Sequence, residues 1–325
     1  MAGNGPDDRI ATKRSEGVRV HLADTPPIER LITAARAGHP YRLMSYWYLR
    51  NMKRDVAEVL QMMGKPEHMI MDSGLFSLMF GAEKGTIPST YEAYRDYTLR
   101  YLDDVDRWGF PCTIVESDTH KLLGMEATFR LRELFAPLGD RVIYVWHQPE
   151  GLDGLLRLAE ERSYIALSVP ELRILAANGK ATSRNQVSAM VTNLLRRVHR
   201  HCEAKGILPP RIHLLGCTVQ SMMETPLAYT CDSTSWLAGV RFGTGMTWNT
   251  KTERLQQVHL RSERFKAWRK LCAEQNPDAA GYAKQQGDAE YYLNTLACAA
   301  AFAEYQRWLD ARYTAVPMRG VGETT

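Results

Sequence analysis

Short runs of apolar, β-branched and aromatic residues recur along the chain, and helical patterns fill the intervals between them. The runs are RLMSYWYL (Arg42 to Leu49), MIMDS (Met69 to Ser73), CTIVES (Cys112 to Ser117), VIYVWH (Val142 to His147), YIALS (Tyr164 to Ser168), RIHLLG (Arg211 to Gly216), AYTCDS (Ala228 to Ser233) and GVRFG (Gly239 to Gly243). Near-continuous apolar character within each run marks strands covered on both faces, as in a parallel sheet. Eight such units alternating with helices predict an α/β protein built on a TIM (β/α)8 barrel, with a doubly wound open sheet as the alternative. One further run, VRVHLA (Val18 to Ala23), reads as an extra strand across the barrel floor.

The intervening segments carry helix punctuation. In STYEAYRDYTLRYLDDVDRW either Ser89 or Thr90 is a candidate cap, and Tyr94, Tyr97, Tyr101, Leu102, Val105 and Trp108 form an apolar stripe at helical spacing. An amphipathic helix packed on the barrel explains that stripe better than a base-stacking surface does. After about residue 250 the pattern reads as wholly helical. The expected organisation is a polar tail over 1–16, a barrel over 17–250 and a helical C-terminal extension over 251–325, packed on the barrel.

Composition narrows the function. With 325 residues, 45% of them hydrophobic, the chain can bury one large core. A net charge of +4 is too small to announce a nucleic-acid binder, so local clustering must decide. Six cysteines without a Cys-x-x-Cys pair predict free thiols in a reducing cytoplasm rather than disulfides or a zinc site. The N-terminus lacks an apolar signal region and no run has the length of a membrane span, so no membrane partner is expected. GTGMTWN is Gly-rich but lacks the rest of a dinucleotide fingerprint and reads as a turn. His199 and His201 in HRHC are two apart on a helix and face different ways. No cofactor and no bound metal are expected.

The candidate chemistry lies where strands finish. MIMDS ends on Asp72 and Ser73, TIVESD on Glu116 and Asp118, VIYVWHQ on His147 and Gln148, HLLGCT on Gly216 and Cys217, and YTCDS on Asp232. Any one of these is an ordinary cap for the following helix. Their coincidence at the C-terminal ends of several barrel strands is the mark of an active site. Two carboxylates facing one pocket suit cleavage of a glycosidic bond, one engaging the anomeric carbon while the other handles the leaving group's proton. Cys217 or Cys231 paired with His147 or His213 is a weaker reading, because no thiol-enzyme motif surrounds either cysteine.

DSGLFSLMF resembles the Asp-Ser-Gly-Gly-Phe/Tyr-Gln motif of the tRNA-guanine transglycosylases, with Leu75 at the second glycine and Ser77 at the glutamine. LLGCT and YTCDSTSW follow in the order of that family's base-recognition loop and nucleophile, and the nearest likeness is to its shorter phage relatives, the DNA-guanine transglycosylases. The resemblance spans roughly Leu43 to Gly245. It implies that Asp232 is the nucleophile and Asp72 the acid/base, with Ser73 binding the base and Phe76 stacked on the purine. Asp118 would bind the guanine edge, His147 or Gln148 would stand for the recognition glutamine, and the Gly216 backbone would meet an exocyclic oxygen. The implied activity is exchange of guanine in duplex DNA for a 7-deazaguanine such as preQ0. The zinc subdomain of the bacterial tRNA enzymes is missing, since only Cys272 and Cys298 follow Asp232. A tRNA-directed enzyme, a nucleoside or base hydrolase and a non-catalytic nucleic-acid-binding protein are the alternatives. For phosphate binding the sequence offers Arg254, Arg261, Arg264 and Lys266, with Arg269 and Lys270 beyond them.

Overall fold

Alternation within the strands decides which side chains enter the barrel. In Val142–Trp146, residues Val142, Tyr144 and Trp146 join the outer core beneath the helices, while Ile143 and Val145 join a separate inner cluster. The inner cluster also holds Ala23, Leu43, Ile70, Val115, Tyr164, Ala166 and Tyr229. Because side chains alternate with a period of two, the inward phase of each strand, followed to its C-terminal end, reaches Ser45, Asp72, His147, Ser168 and Asp232. Of the polar ends predicted from sequence, Asp72, His147 and Asp232 thus belong to the top layer of the barrel's own interior.

The computed structural model describes residues 18–23, 27–64, 69–75, 89–177, 183–217, 219–238, 240–313 and 317–319. Its strands β1 (Arg19–Ala23), β2 (Arg42–Ser45), β3 (Met69–Asp72), β4 (Thr113–Val115), β5 (Val142–Trp146), β6 (Tyr164–Ser168), β7 (Arg211–Leu215) and β8 (Thr230–Ser233) form a closed barrel in sequence order. All neighbours are parallel, and β1 closes the ring on β8, aligning His21 with Asp232. The TIM-like (β/α)8 architecture expected from the strand count is present, and the open sheet is excluded.

Two of the expected strands are differently placed. VRVHLA is not a floor strand but β1 itself. Its polar residues Arg19 and His21 point inward, where Arg19 stacks on Tyr41 and Tyr229 and His21 lies against His213. GVRFG is not a strand: Val240–Phe242 is a 3-10 turn that leaves Phe242 83% exposed and ends on Gly243 at φ +75°. The region beyond it is not wholly helical either. GTGMTWN, expected as a turn, is strand β9 (Thr244–Asn249), paired antiparallel with β10 (Arg254–His259) across the expected boundary at 250.

The helices beyond the hairpin follow the expected pattern: Glu263–Gln275, Pro277–Lys284 and Ala289–Arg312. The last of these is tied to β1 through buried Gln306, which accepts from the Val20 N–H at 2.8 Å and donates to the Val18 carbonyl at 3.0 Å. Pairing both groups of one amide in this way removes the cost of burying it. All six cysteines are free and buried. Among the described residues no helix is long and apolar enough to cross a membrane.

Candidate active site

The turn after β3 is fixed from beneath. The Tyr91–Trp108 helix starts on Thr90, whose hydroxyl accepts from the Ala93 N–H, and it buries Tyr94, Tyr97, Tyr101 and Val105 against the barrel. Its tyrosines combine an apolar body with a polar tip. Tyr101 donates to the Met71 carbonyl at 2.7 Å and Tyr97 to the Ser73 carbonyl at 2.5 Å, so the stripe read as core also anchors the strand that carries Asp72. Gly74 completes the turn at φ +79°, where a Cβ would collide with Ser45 and Trp47. Ser73 and Leu75 are buried, which makes Leu75 a packing residue in place of the glycine in the related motif. Phe76 lies outside the described residues.

Asp72 is half-buried, and its Oδ2 accepts from the Gly74 N–H at 3.0 Å. Withdrawal from water raises its carboxyl, the Gly74 N–H opposes the rise, and the charges of Asp232 and Asp118 add to it; the result is about 7. This carboxyl therefore holds or gives up a proton near neutral pH.

Asp232 is buried and is held through one of its oxygens. Its Oδ1 accepts from the Gly216 N–H at 2.7 Å and lies 3.3 Å from His213 Nε2. A carboxylate only accepts, so His213 carries its proton on Nε2 and its Nδ1 accepts from the Thr230 hydroxyl at 2.7 Å. Tyr164 in turn donates to Thr230 at 2.5 Å. This buried chain orients the carboxylate and leaves Oδ2 without a hydrogen bond from the described residues. Gly216, at φ +61°, has its N–H committed to Asp232, and a Cβ there would come within 2.9 Å of Pro170.

Asp118 follows β4 and is half-buried, with Oδ1 2.6 Å from His120 Nδ1 and 3.6 Å from His147 Nδ1. Burial acts to raise its carboxyl, but the His120 hydrogen bond and the charges of His147 and His120 outweigh that and hold it below its usual range. Burial acts to lower His120, yet its bonds to Asp118 and Glu171 raise it to about 9. His147 is fully buried and stacks on His120 with ring centroids 4.2 Å apart. Burial lowers its imidazole despite the attraction of Asp118. Of the two residues proposed for amide recognition, His147 takes the inward phase while Gln148 is exposed.

Neighbouring polar residues serve structure. Glu116 makes a bidentate pair with Arg132, with two N···O distances of 2.9 Å, and accepts from the Val145 N–H at 2.7 Å, so it joins β4 to β5. Burial pushes the Cys231 thiol well up, with Cys217 adding to the effect, which disfavours a thiolate nucleophile there. His199 and His201 engage different partners, the Leu227 carbonyl and Glu160. In the basic segment Arg254 lies on β10 and pairs with Glu224 at 3.0 Å, while Lys266 pairs with Glu263 at 2.7 Å. Arg261 and Arg264 are exposed and have no acidic partner among the described residues.

The strand ends thus bring Asp72, Asp118, His147 and Asp232 to one barrel mouth. Sequence reasoning passed over His120 and Glu171, and it weighed His213 only as the partner of a cysteine. His120 opens the helix two residues after Asp118, and that short spacing was the available signal. No protein-family model matches the chain, and no curated protein is significantly similar to it.

Proposed function

We propose that the protein is a DNA-guanine transglycosylase that exchanges guanine in duplex DNA for a 7-deazaguanine, such as preQ0, through a covalent aspartyl-sugar intermediate. The observation that carries this reading is the contrast between two carboxyls at one barrel mouth. Asp72 is poised to exchange a proton near pH 7, while Asp232 is oriented through one oxygen by Gly216 and His213. Such a division between acid and nucleophile is what glycosyl transfer through a covalent intermediate requires.

In this mechanism Asp232 Oδ2 attacks C1′ of the target nucleotide and the C1′–N9 bond breaks. Its electron pair passes to the purine, and protonated Asp72 supplies the proton that lets guanine leave as the neutral base. The incoming 7-deazaguanine then gives its N9 proton to the Asp72 carboxylate and attacks C1′, which releases Asp232. Asp118 and His147 stand beside the two carboxyls to read the heterocycle, and the family resemblance adds Phe76 as a stacking face. The target base must leave the duplex first, at a cost of a few kcal/mol. Phosphate contacts from Arg261 and Arg264 would offset part of it.

Incubation with radiolabelled guanine and either duplex DNA or tRNA tests the proposal. Label entering DNA is the expected result. Label entering only tRNA redirects the same chemistry to an RNA substrate. Binding without incorporation into either overturns the enzymatic reading.

A further inference from the structure

We propose that Asp118, His120 and His147 form a binding site for a divalent first-row transition metal ion, with zinc as the representative. The inference goes beyond base exchange and does not depend on it.

Three ligand atoms, one from each residue, lie within 4.8 Å of one another. The two distances from Asp118 Oδ1, 2.6 Å to His120 Nδ1 and 3.6 Å to His147 Nδ1, bracket what a metal imposes. An ion with bonds of ~2.0–2.2 Å in tetrahedral geometry spaces neighbouring donors by roughly 3.4 Å. Shifts of roughly 1 Å would close the three donors around one ion. Two imidazoles and one carboxylate suit zinc, iron, cobalt or manganese, whereas calcium and magnesium require an all-oxygen shell.

A second observation points to a ligand. His147 is fully buried, yet neither of its ring nitrogens has a hydrogen-bond partner. An orphaned buried polar group is costly and calls for an explanation. Its Nδ1 is aimed at the Asp118 carboxylate from beyond hydrogen-bond range. The backbone holds the ring there through reciprocal bonds with Glu150, one from His147 N–H to the Glu150 carboxylate and one from Glu150 N–H to the His147 carbonyl, both 2.9 Å. A metal bond to Nδ1 satisfies one of the two orphaned nitrogens directly.

The surroundings complete the pattern. A metal-binding histidine usually gives its other ring N–H to a carboxylate, which fixes its orientation and raises its basicity. His120 Nε2 lies 3.2 Å from Glu171, and Lys121 holds Glu171 in turn. The ion would take the place of the proton that His120 Nδ1 shares with Asp118. Three protein donors leave at least one position for water or substrate, and the Asp118 side chain, 25% exposed, opens that position toward the barrel mouth. Asp118 Oδ2 remains available for a substrate edge.

The test uses the full-length chain, stripped with a chelator and titrated with Zn²⁺ by calorimetry and with Co²⁺ by visible absorption. The expected result is one ion per chain, with cobalt d–d bands and no thiolate charge-transfer band. Asp118→Asn and His147→Ala should each weaken binding at least a hundredfold. Glu171→Gln, which touches no ligand atom of the ion, should weaken it by about tenfold to a hundredfold. Circular dichroism identifies any variant that fails to fold, and the cobalt spectrum of the unaltered chain stands without variants. Absence of binding overturns the proposal, as does a thiolate band or unchanged affinity in folded Asp118→Asn. Absence of base exchange in the unaltered, metal-loaded chain would overturn the transglycosylase reading alone.

Discussion

Replacing Asp72 by Asn should abolish activity while making the protein more stable at alkaline pH. The carboxyl rises from 3.8 to about 7 on folding, so the folded chain binds its proton more tightly than the unfolded chain does. Between those pH values the unfolded state has lost the proton and the folded state has kept it, and stability falls as pH rises. The loss is complete above pH 7, where Asp72 is ionised in both states. A rise of about three pH units corresponds to roughly 4 kcal/mol at ~1.4 kcal/mol each. The half-buried side chain is screened by solvent, which reduces the expected effect to about 1–2 kcal/mol. Asn keeps an acceptor for the Gly74 N–H and has no charge to bury. Urea unfolding of both proteins between pH 4 and 8.5 should show equal stability at the acid end. The variant should gain its advantage through the interval and hold it constant above pH 7. A difference independent of pH, or a variant less stable at pH 8, would refute the assigned environment of Asp72.

Other outcomes follow from the same geometry. His213→Leu removes one hydrogen bond from Asp232 and should lower kcat by roughly tenfold to a hundredfold, the equivalent of about 1.5–3 kcal/mol for a bond to a charged group. Steady-state kinetics should show KM nearly unchanged. Arg132→Leu strands buried Glu116 and should cost about 3–5 kcal/mol in urea unfolding. Charge reversal at Arg261 and Arg264 should weaken DNA binding and flatten its dependence on salt by close to one unit of log–log slope for each phosphate that is no longer neutralised. An unchanged slope would remove that segment from the DNA interface.

The inward phase of the strands made much of this site legible in sequence. Asp72 and His147 continue an apolar alternation past the point where it closes a core, which is why a polar residue there stands out, whereas Asp232 follows the polar Thr230 on its strand. The run at β1, expected as an extra strand across the floor, is instead part of the barrel, with Arg19 and His21 facing its interior. GVRFG has strand-like composition, but Gly243 in the left-handed region turns the chain away after three residues. Strand β10 escaped notice because RLQQVH is largely polar and pairs only with β9. Glu171 reaches His120 from the segment after β6, and His213 reaches Asp232 from the adjacent β7. Such contacts are set by barrel closure, which no local pattern encodes.

The central claim is that Asp232 becomes covalently attached to the DNA sugar. Trapping the protein with guanine-containing duplex DNA, followed by proteolysis and mass spectrometry, tests it directly. The account predicts a nucleotide adduct on the peptide carrying Asp232, with no adduct and no exchange in Asp232→Asn. An adduct on another residue, or exchange that persists in Asp232→Asn, would contradict it.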